Sequence, residues 1–170
     1  MLFRSGGQAG AQNGALTIMC GGSAEAFAAA EPILKAYGKS IVHIGAAGAG
    51  QQAKAVNQVL VAGSYAAVAE ALALGQRFGL AMPQVVEALQ GGAAGSWALS
   101  HRAGNMLNGH YPLGFKLALH RKDLAIALEA ANAVGAELPI SQLVAALEDE
   151  LLAAGHGDED VSALARWFSR

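Results

Sequence analysis

The stretch from Gly48 to Gly79 limits, more than any other, what this chain folds into. It is rich in alanine and apolar nearly all round, and it reads as a single helix over residues 48–79, roughly 45 Å long. A helix apolar on so many sides has to be enclosed by other elements. Small residues such as Ala62, Gly63, Ala66 and Ala67 let those elements approach closely. The rest of the chain supplies them. Pro83 suits the first turn of a helix over 83–90, and further helices are expected over 96–108, 116–135, 139–154 and 159–168. Leu117, Leu124, Leu128 and Ala131 give one of these its apolar stripe. Gly135, Gly155 and Gly157 fall where helices should stop. From Gly48 onward no segment reads as a strand.

The first 45 residues follow another pattern. Residues 15–20 form a short apolar run bounded by Gly14 and Gly21-Gly22, which reads as a strand buried on both faces. Ser23 is a suitable N-cap for a helix over 24–37. Phe27, Ala30, Leu34 and Tyr37 lie on one side of it, and Pro32 interrupts it. Ile41-Val42-His43-Ile44 reads as a second strand, closed by Gly45. Strand, helix and strand in this order make a βαβ unit. Two parallel strands leave two open edges and cannot bury both faces. Met1-Leu2-Phe3-Arg4 is too short to complete the sheet, so an upstream segment is expected to do so. The fold class is therefore mainly α: an all-helical domain over 47–170, preceded over 1–46 by the last βαβ portion of a larger sheet.

Composition excludes several classes of function. Hydrophobic residues make up 54% of the chain and charged residues 14%, a globular balance and not a disordered one. The net charge is −2 and the eleven Lys and Arg are scattered, so no basic face is available for nucleic acid. Cys20 is the one cysteine. It forms no intrachain disulfide, needs no oxidising compartment and reads as a small buried hydrophobe, so a cytoplasmic setting is expected. The longest apolar stretch, Val59 to Gly75, is broken by Ser64, Tyr65 and Glu70, which argues against a spanning helix. Met1 to Gly10 lacks the apolar core of a signal peptide. A soluble protein with no membrane contact is expected.

Several segments carry chemistry. Gly48-Ala49-Gly50-Gln51-Gln52-Ala53 matches the dinucleotide fingerprint G-x-G-x-x-G/A in form. That fingerprint also needs a second strand ending in an acidic residue about 20 positions on, and Glu70, the nearest candidate, lies within the long helix. The glycines therefore read as a tight turn into that helix. Lys54 follows on its first turns and shares a face with Asn57 and Gln58. Two readings of Lys54 stand on spacing alone. One is a lysine whose pKa is lowered by desolvation, which suits proton transfer. The other is a lysine that snorkels from a buried helix to solvent. Ser5-Gly6-Gly7 and Gly10 form a polar, glycine-rich segment that either aims backbone N–H groups at an anion or is an ordinary terminus. Phe115, Lys122 and Asp123 stand at the head of a helix, where a solvated face is the plainer reading. His43, His101, His110, His120 and His156 show no metal-binding spacing. Residues 155–162 read as a loop and helix cap.

Taken in order, these segments resemble one family. Ser5-Gly6-Gly7, Leu16 through Gly22, Gly48 through Gln58, Glu70-Ala71-Leu72 and Gly114-Phe115 through Lys122-Asp123-Leu124 are similar to the corresponding blocks of the β-hydroxyacid dehydrogenases. That family includes 3-hydroxyisobutyrate dehydrogenase and tartronate semialdehyde (2-hydroxy-3-oxopropionate) reductase, and its helical domain is like the C-terminal one of 6-phosphogluconate dehydrogenase. The resemblance covers nearly the whole chain. It implies an NAD(P)-dependent oxidoreductase with Lys54 as the catalytic lysine. Ser5, Gly6 and Gly7 then hold the substrate carboxylate, Asn57 positions the substrate, and Phe115, Lys122 and Asp123 lie near the nicotinamide end of NAD or NADP. It also implies a small carboxylate-bearing substrate, no metal, and a homodimer formed through the helical domain.

The resemblance makes 1–46 the C-terminal remnant of a Rossmann domain, so the isolated chain is expected to bind NAD(P)H weakly and to turn over little or nothing. Residues 114–124 look closer to the 2-hydroxy-3-oxopropionate reductases than to the 3-hydroxyisobutyrate dehydrogenases, although Ser96-Trp97 departs from the reductases. Two rival classes remain: a non-catalytic helical dimerisation module, and a small Rossmann protein using Gly48 and Gly50, which requires a strand near residues 60–70.

Overall fold

The computed structural model describes residues 2–5 and 7–170, with side chains from Gly10 onward. Three strands and a helical array account for them. In order they are β1 (Leu2–Ser5), α1 (Gly7–Gln12), β2 (Leu16–Gly21), α2 (Ala24–Leu34), β3 (Gly38–Gly45), α3 (Ala49–Arg77), α4 (Met82–Gln90), α5 (Trp97–Leu107), α6 (Leu117–Ala133), α7 (Pro139–Ala153), a 3-10 turn (Val161–Leu164) and α8 (Ala165–Phe168). The strand-helix-strand unit forms as expected, with β2 and β3 parallel and Ile18 opposite Ile41.

Two expectations about the sheet are corrected. Residues 2–5, judged too short to contribute, form β1 and pair antiparallel with β2 over Leu2↔Cys20 to Ser5↔Thr17. An antiparallel return through α1 needs no long crossover, so a short strand suffices. β2 is buried on one face only. Leu16, Ile18 and Cys20 point into a small core with Leu34, Phe27, Ala30, Tyr37 and Ile41, while Thr17 is exposed. On β3, Val42 and Ile44 are likewise exposed. Cys20 is buried, as its apolar surroundings implied.

Ser23 caps α2, accepting the Ala26 N–H at 3.2 Å. The helix stops at Leu34 instead of reaching Tyr37 because β3 starts at Gly38, opposite Leu16. Pro32, with no N–H to offer, already weakens the last turn.

The long helix α3 is continuous through the positions where a small Rossmann protein needs a strand, which removes that rival. Gly48 caps it at φ 99°, a left-handed conformation that costs glycine little. Gly21 packs so closely on the start of α3 that a Cβ there would lie 2.9 Å from the Gly50 nitrogen. At this junction Gly21 thus serves packing and Gly48 the turn into the helix. By length and composition α3 is apolar enough to cross a membrane. Here, however, its Ala62, Tyr65, Ala69 and Leu72 sit in the core with Leu99, Met106, Leu117, Leu124, Val144, Leu151 and Leu164. Each fully buried leucine contributes about 1.5–3 kcal/mol. Most of α3 is expected to be buried, yet its Val56, Leu60 and Leu74 are exposed.

The helix expected over 159–168 begins as a 3-10 turn and becomes α8 only at Ala165. The Val161 N–H is taken by the Phe115 carbonyl at 2.8 Å, which ties the turn to a loop far away in sequence.

Candidate functional site

Lys54 stands on the first turns of α3, where α6 packs beside it. Its Nζ donates to Gln58 Oε1 at 2.6 Å and lies 4.0 Å from Asp123 Oδ2 on α6. The side chain is only 16% exposed. Lys54 therefore turns inward to polar partners and does not snorkel to solvent. The Phe115 ring, at the end of the loop that leads into α6, forms an apolar wall 5.8 Å from Nζ.

Gln58 joins these groups, and sequence reasoning placed it on the right face without giving it a role. Its Oε1 accepts from both Lys54 and Asn57 Nδ2 (2.8 Å), and its Nε2 donates to Asp123 Oδ2 at 3.2 Å. The residue is fully buried. The signal was available: an amide one turn after a lysine on a largely apolar helix needs several partners once buried.

Asp123 sits between two lysines, because Lys122 Nζ approaches its Oδ1 at 3.3 Å. Lys122 is 63% exposed and marks the rim. Two cations against one carboxylate leave the cluster positive, an environment that suits an anionic ligand. Burial pushes the Lys54 ammonium below the ordinary lysine range. The Asp123 charge opposes that shift and the Lys122 charge adds to it. Replacing Asp123 with Asn is therefore expected to move the Lys54 titration to still lower pH, and Lys122→Gln to move it higher. Following the Lys54 ε-carbon by NMR across pH checks both signs; shifts in the same direction would refute this electrostatic account.

The loop bearing Phe115 is held by Asp160. Its Oδ2 accepts the backbone N–H groups of Gly114 (3.2 Å) and Phe115 (2.9 Å). Its Oδ1 accepts from Arg102 Nε (3.2 Å) and from Ser162 N and Oγ (3.1 and 2.6 Å). Tyr65, one of the core residues of α3, abuts this network. Burial, with the nearby Asp160 charge, pushes its hydroxyl up to about 12 against the pull of Arg102.

Five of the expected site residues thus come together: Lys54, Asn57, Phe115, Lys122 and Asp123. Ser5 ends β1 and Gly7 opens α1, both described by backbone only, and β1 lies against α3. Gly6 lies outside the described residues. Among the described residues, no group of His, Cys, Asp and Glu is arranged to hold a metal ion.

Residues 48–168 match the family described as the NAD-binding domain of NADP-dependent 3-hydroxyisobutyrate dehydrogenase. Residues 4–45 match the NAD binding domain of 6-phosphogluconate dehydrogenase. The chain is 43% identical to the uncharacterised oxidoreductase YkwC of Bacillus subtilis (strain 168), over 94% of its own length and 56% of the relative's. It is 39% identical to 2-hydroxy-3-oxopropionate reductase of Escherichia coli (strain K12), over 94% of this chain and 55% of that one. Mycobacterium tuberculosis 3-hydroxyisobutyrate dehydrogenase, solved with L-serine, superimposes with a TM-score of 0.86 at 33% identity, covering 97% of this chain and 59% of that one. The chain thus spans a little over half the length of the relatives it matches.

Proposed function

Because the chain belongs to the β-hydroxyacid dehydrogenase family, we propose that its Lys54 moves the proton in a hydride transfer between NAD or NADP and a small β-hydroxyacid or its semialdehyde. The observation that carries this reading is a mostly buried ammonium held by Gln58 and Asp123 beside an aromatic wall. A lysine so placed is a proton donor whose pKa is brought toward working pH.

The residues present fit the nicotinamide end of the cofactor: Phe115 offers a flat apolar surface, and Lys122 and Asp123 offer a cation and an acceptor at the rim. The bound nicotinamide supplies or receives the hydride. In reduction, Lys54 Nζ gives its proton to the carbonyl oxygen; in oxidation, it takes the hydroxyl proton. Asn57, with Ser5, Gly6 and Gly7, holds the substrate and its carboxylate, which fixes the distance to the reacting carbon. Gly48 serves as the left-handed cap of α3 and the Gly50 nitrogen packs under Gly21, roles that explain both glycines without a phosphate cradle. Residues 1–46 are then the end of a Rossmann domain and 47–170 the helical substrate domain. The 170 residues alone are expected to bind NAD(P)H weakly and turn over little. The exposed apolar residues Val56, Leu60 and Leu74 of α3 favour a homodimer through the helical domain.

Likeness to the Escherichia coli reductase favours 2-hydroxy-3-oxopropionate as substrate, and likeness to the mycobacterial enzyme keeps 3-hydroxyisobutyrate as the alternative. The two substrate classes differ by a hydroxyl against a methyl on the middle carbon. In a full-length counterpart, kcat/KM for 2-hydroxy-3-oxopropionate is expected to exceed that for the methyl analogue by at least about tenfold, the low end of what one substituent is worth in a pocket. The opposite preference makes the protein a 3-hydroxyisobutyrate dehydrogenase. Equal inertness toward both, with assembly intact, supports a helical dimerisation module instead.

A further inference from the structure

We propose that Asp160 is a positioning residue for the site, acting through Phe115; the inference rests on the reading of Lys54 given above. The carboxylate is fully buried and receives hydrogen bonds from two backbone N–H groups of the Phe115 loop, from Arg102, and from the backbone and hydroxyl of Ser162. So many donors on one carboxylate make charge-assisted bonds, the strong kind. They fix the backbone at Gly114 and Phe115, and the Phe115 carbonyl is fixed in turn by the Val161 N–H. The ring that results from this anchoring faces Lys54 on one side and meets His120 edge-on, with centroids 5.9 Å apart. Phe115 is part of the wall that keeps water from the Lys54 ammonium, so the orientation of that wall is set from Asp160, forty-five residues away in sequence.

Gly114 fits the same scheme. A Cβ there would lie 2.6 Å from Arg102 Nη2 and 2.9 Å from Asp160 Oδ2. The loop reaches the carboxylate because this position is glycine.

The test uses Asp160→Asn in a full-length counterpart, with two readouts. An asparagine turns an NH2 group toward donors, so the clamp loosens while size is kept. Hydrogen exchange at the Gly114 and Phe115 amides is expected to rise on the order of tenfold, since local opening is then easier. kcat/KM is expected to fall on the order of 10²-fold, as displaced active-site groups do. In a Phe115→Ala background the same substitution is expected to cost little more, because two residues acting through one contact are not additive. Unchanged amide exchange overturns the proposal, as does an equal loss with and without the Phe115 ring. If Asp160→Asn does not fold, Gly114→Ala pries the same contact apart with both charges retained and is judged by the same two readouts. Should Lys54→Ala keep full turnover, the catalytic reading fails, while amide exchange still decides whether Asp160 anchors the loop.

Discussion

Lys54→Ala in a full-length counterpart is expected to lower kcat for semialdehyde reduction by roughly 10²–10⁴-fold, the range for losing a positioned proton donor. Folding should survive. Gln58 Oε1 loses one of its donors but keeps Asn57 Nδ2 at 2.8 Å, and Gln58 Nε2 keeps Asp123 at 3.2 Å. The buried amide stays satisfied on both sides, so no orphaned group is left behind. Cofactor affinity should change little, because Lys122 and Asp123 remain. Lys54→Arg is expected to be nearly as impaired in oxidation, since a guanidinium keeps the charge but does not give up its proton near neutral pH. Steady-state rates, the cofactor KM and circular dichroism on each variant check all four statements. A Lys54→Ala enzyme that turns over normally would remove Lys54 from the chemistry, and one that loses assembly instead would support the helical dimerisation reading.

The second large effect concerns stability. His120 Nδ1 and Glu148 Oε1 lie 2.6 Å apart between α6 and α7, both with 0% side-chain exposure. His120 Nε2 and Glu148 Oε2 have no hydrogen-bond partner. His120→Leu leaves a carboxylate alone in the core and is expected to cost roughly 3–5 kcal/mol. For a domain of this size that lowers Tm by roughly 6–20 °C. Changing both residues, His120→Leu with Glu148→Met, removes the half-satisfied pair together with its desolvation cost. The double variant should return to within about 2 kcal/mol of the parent or exceed it. Thermal unfolding of the parent and the two variants tests this. A single substitution that costs nothing would mean that the pair is not isolated from water.

Much of this arrangement was legible beforehand. Alanine-rich, apolar sequence marked α3, and Gly14, Gly21 and Gly45 bounded β2 and β3, because local composition dictates such elements. β1 was missed because so few residues carry no period of their own; it exists through its pairing with β2. Lys54, Asn57, Phe115, Lys122 and Asp123, which the fold brings together, were singled out through the order of motifs along the chain, while spacing alone left Lys54 open between two readings. Gln58 and Asp160 were read only as a face-mate and part of a loop and cap. Their importance lies in partners far along the chain, Asp123 for one and Phe115 for the other, and no local pattern encodes those meetings.

The central claim is that Lys54 Nζ carries the proton, and the pH dependence of kcat/KM in both directions tests it most directly. Reduction needs the ammonium, so its rate should fall as pH rises through the Lys54 pKa. Oxidation needs the free amine, so its rate should rise through the same region. Both limbs should lie below lysine's ordinary value of about 10.4, in the direction burial imposes. The residual activity of Lys54→Ala should lack both. Opposed limbs that vanish with Lys54 are the predicted result; limbs that persist unchanged in Lys54→Ala would contradict it.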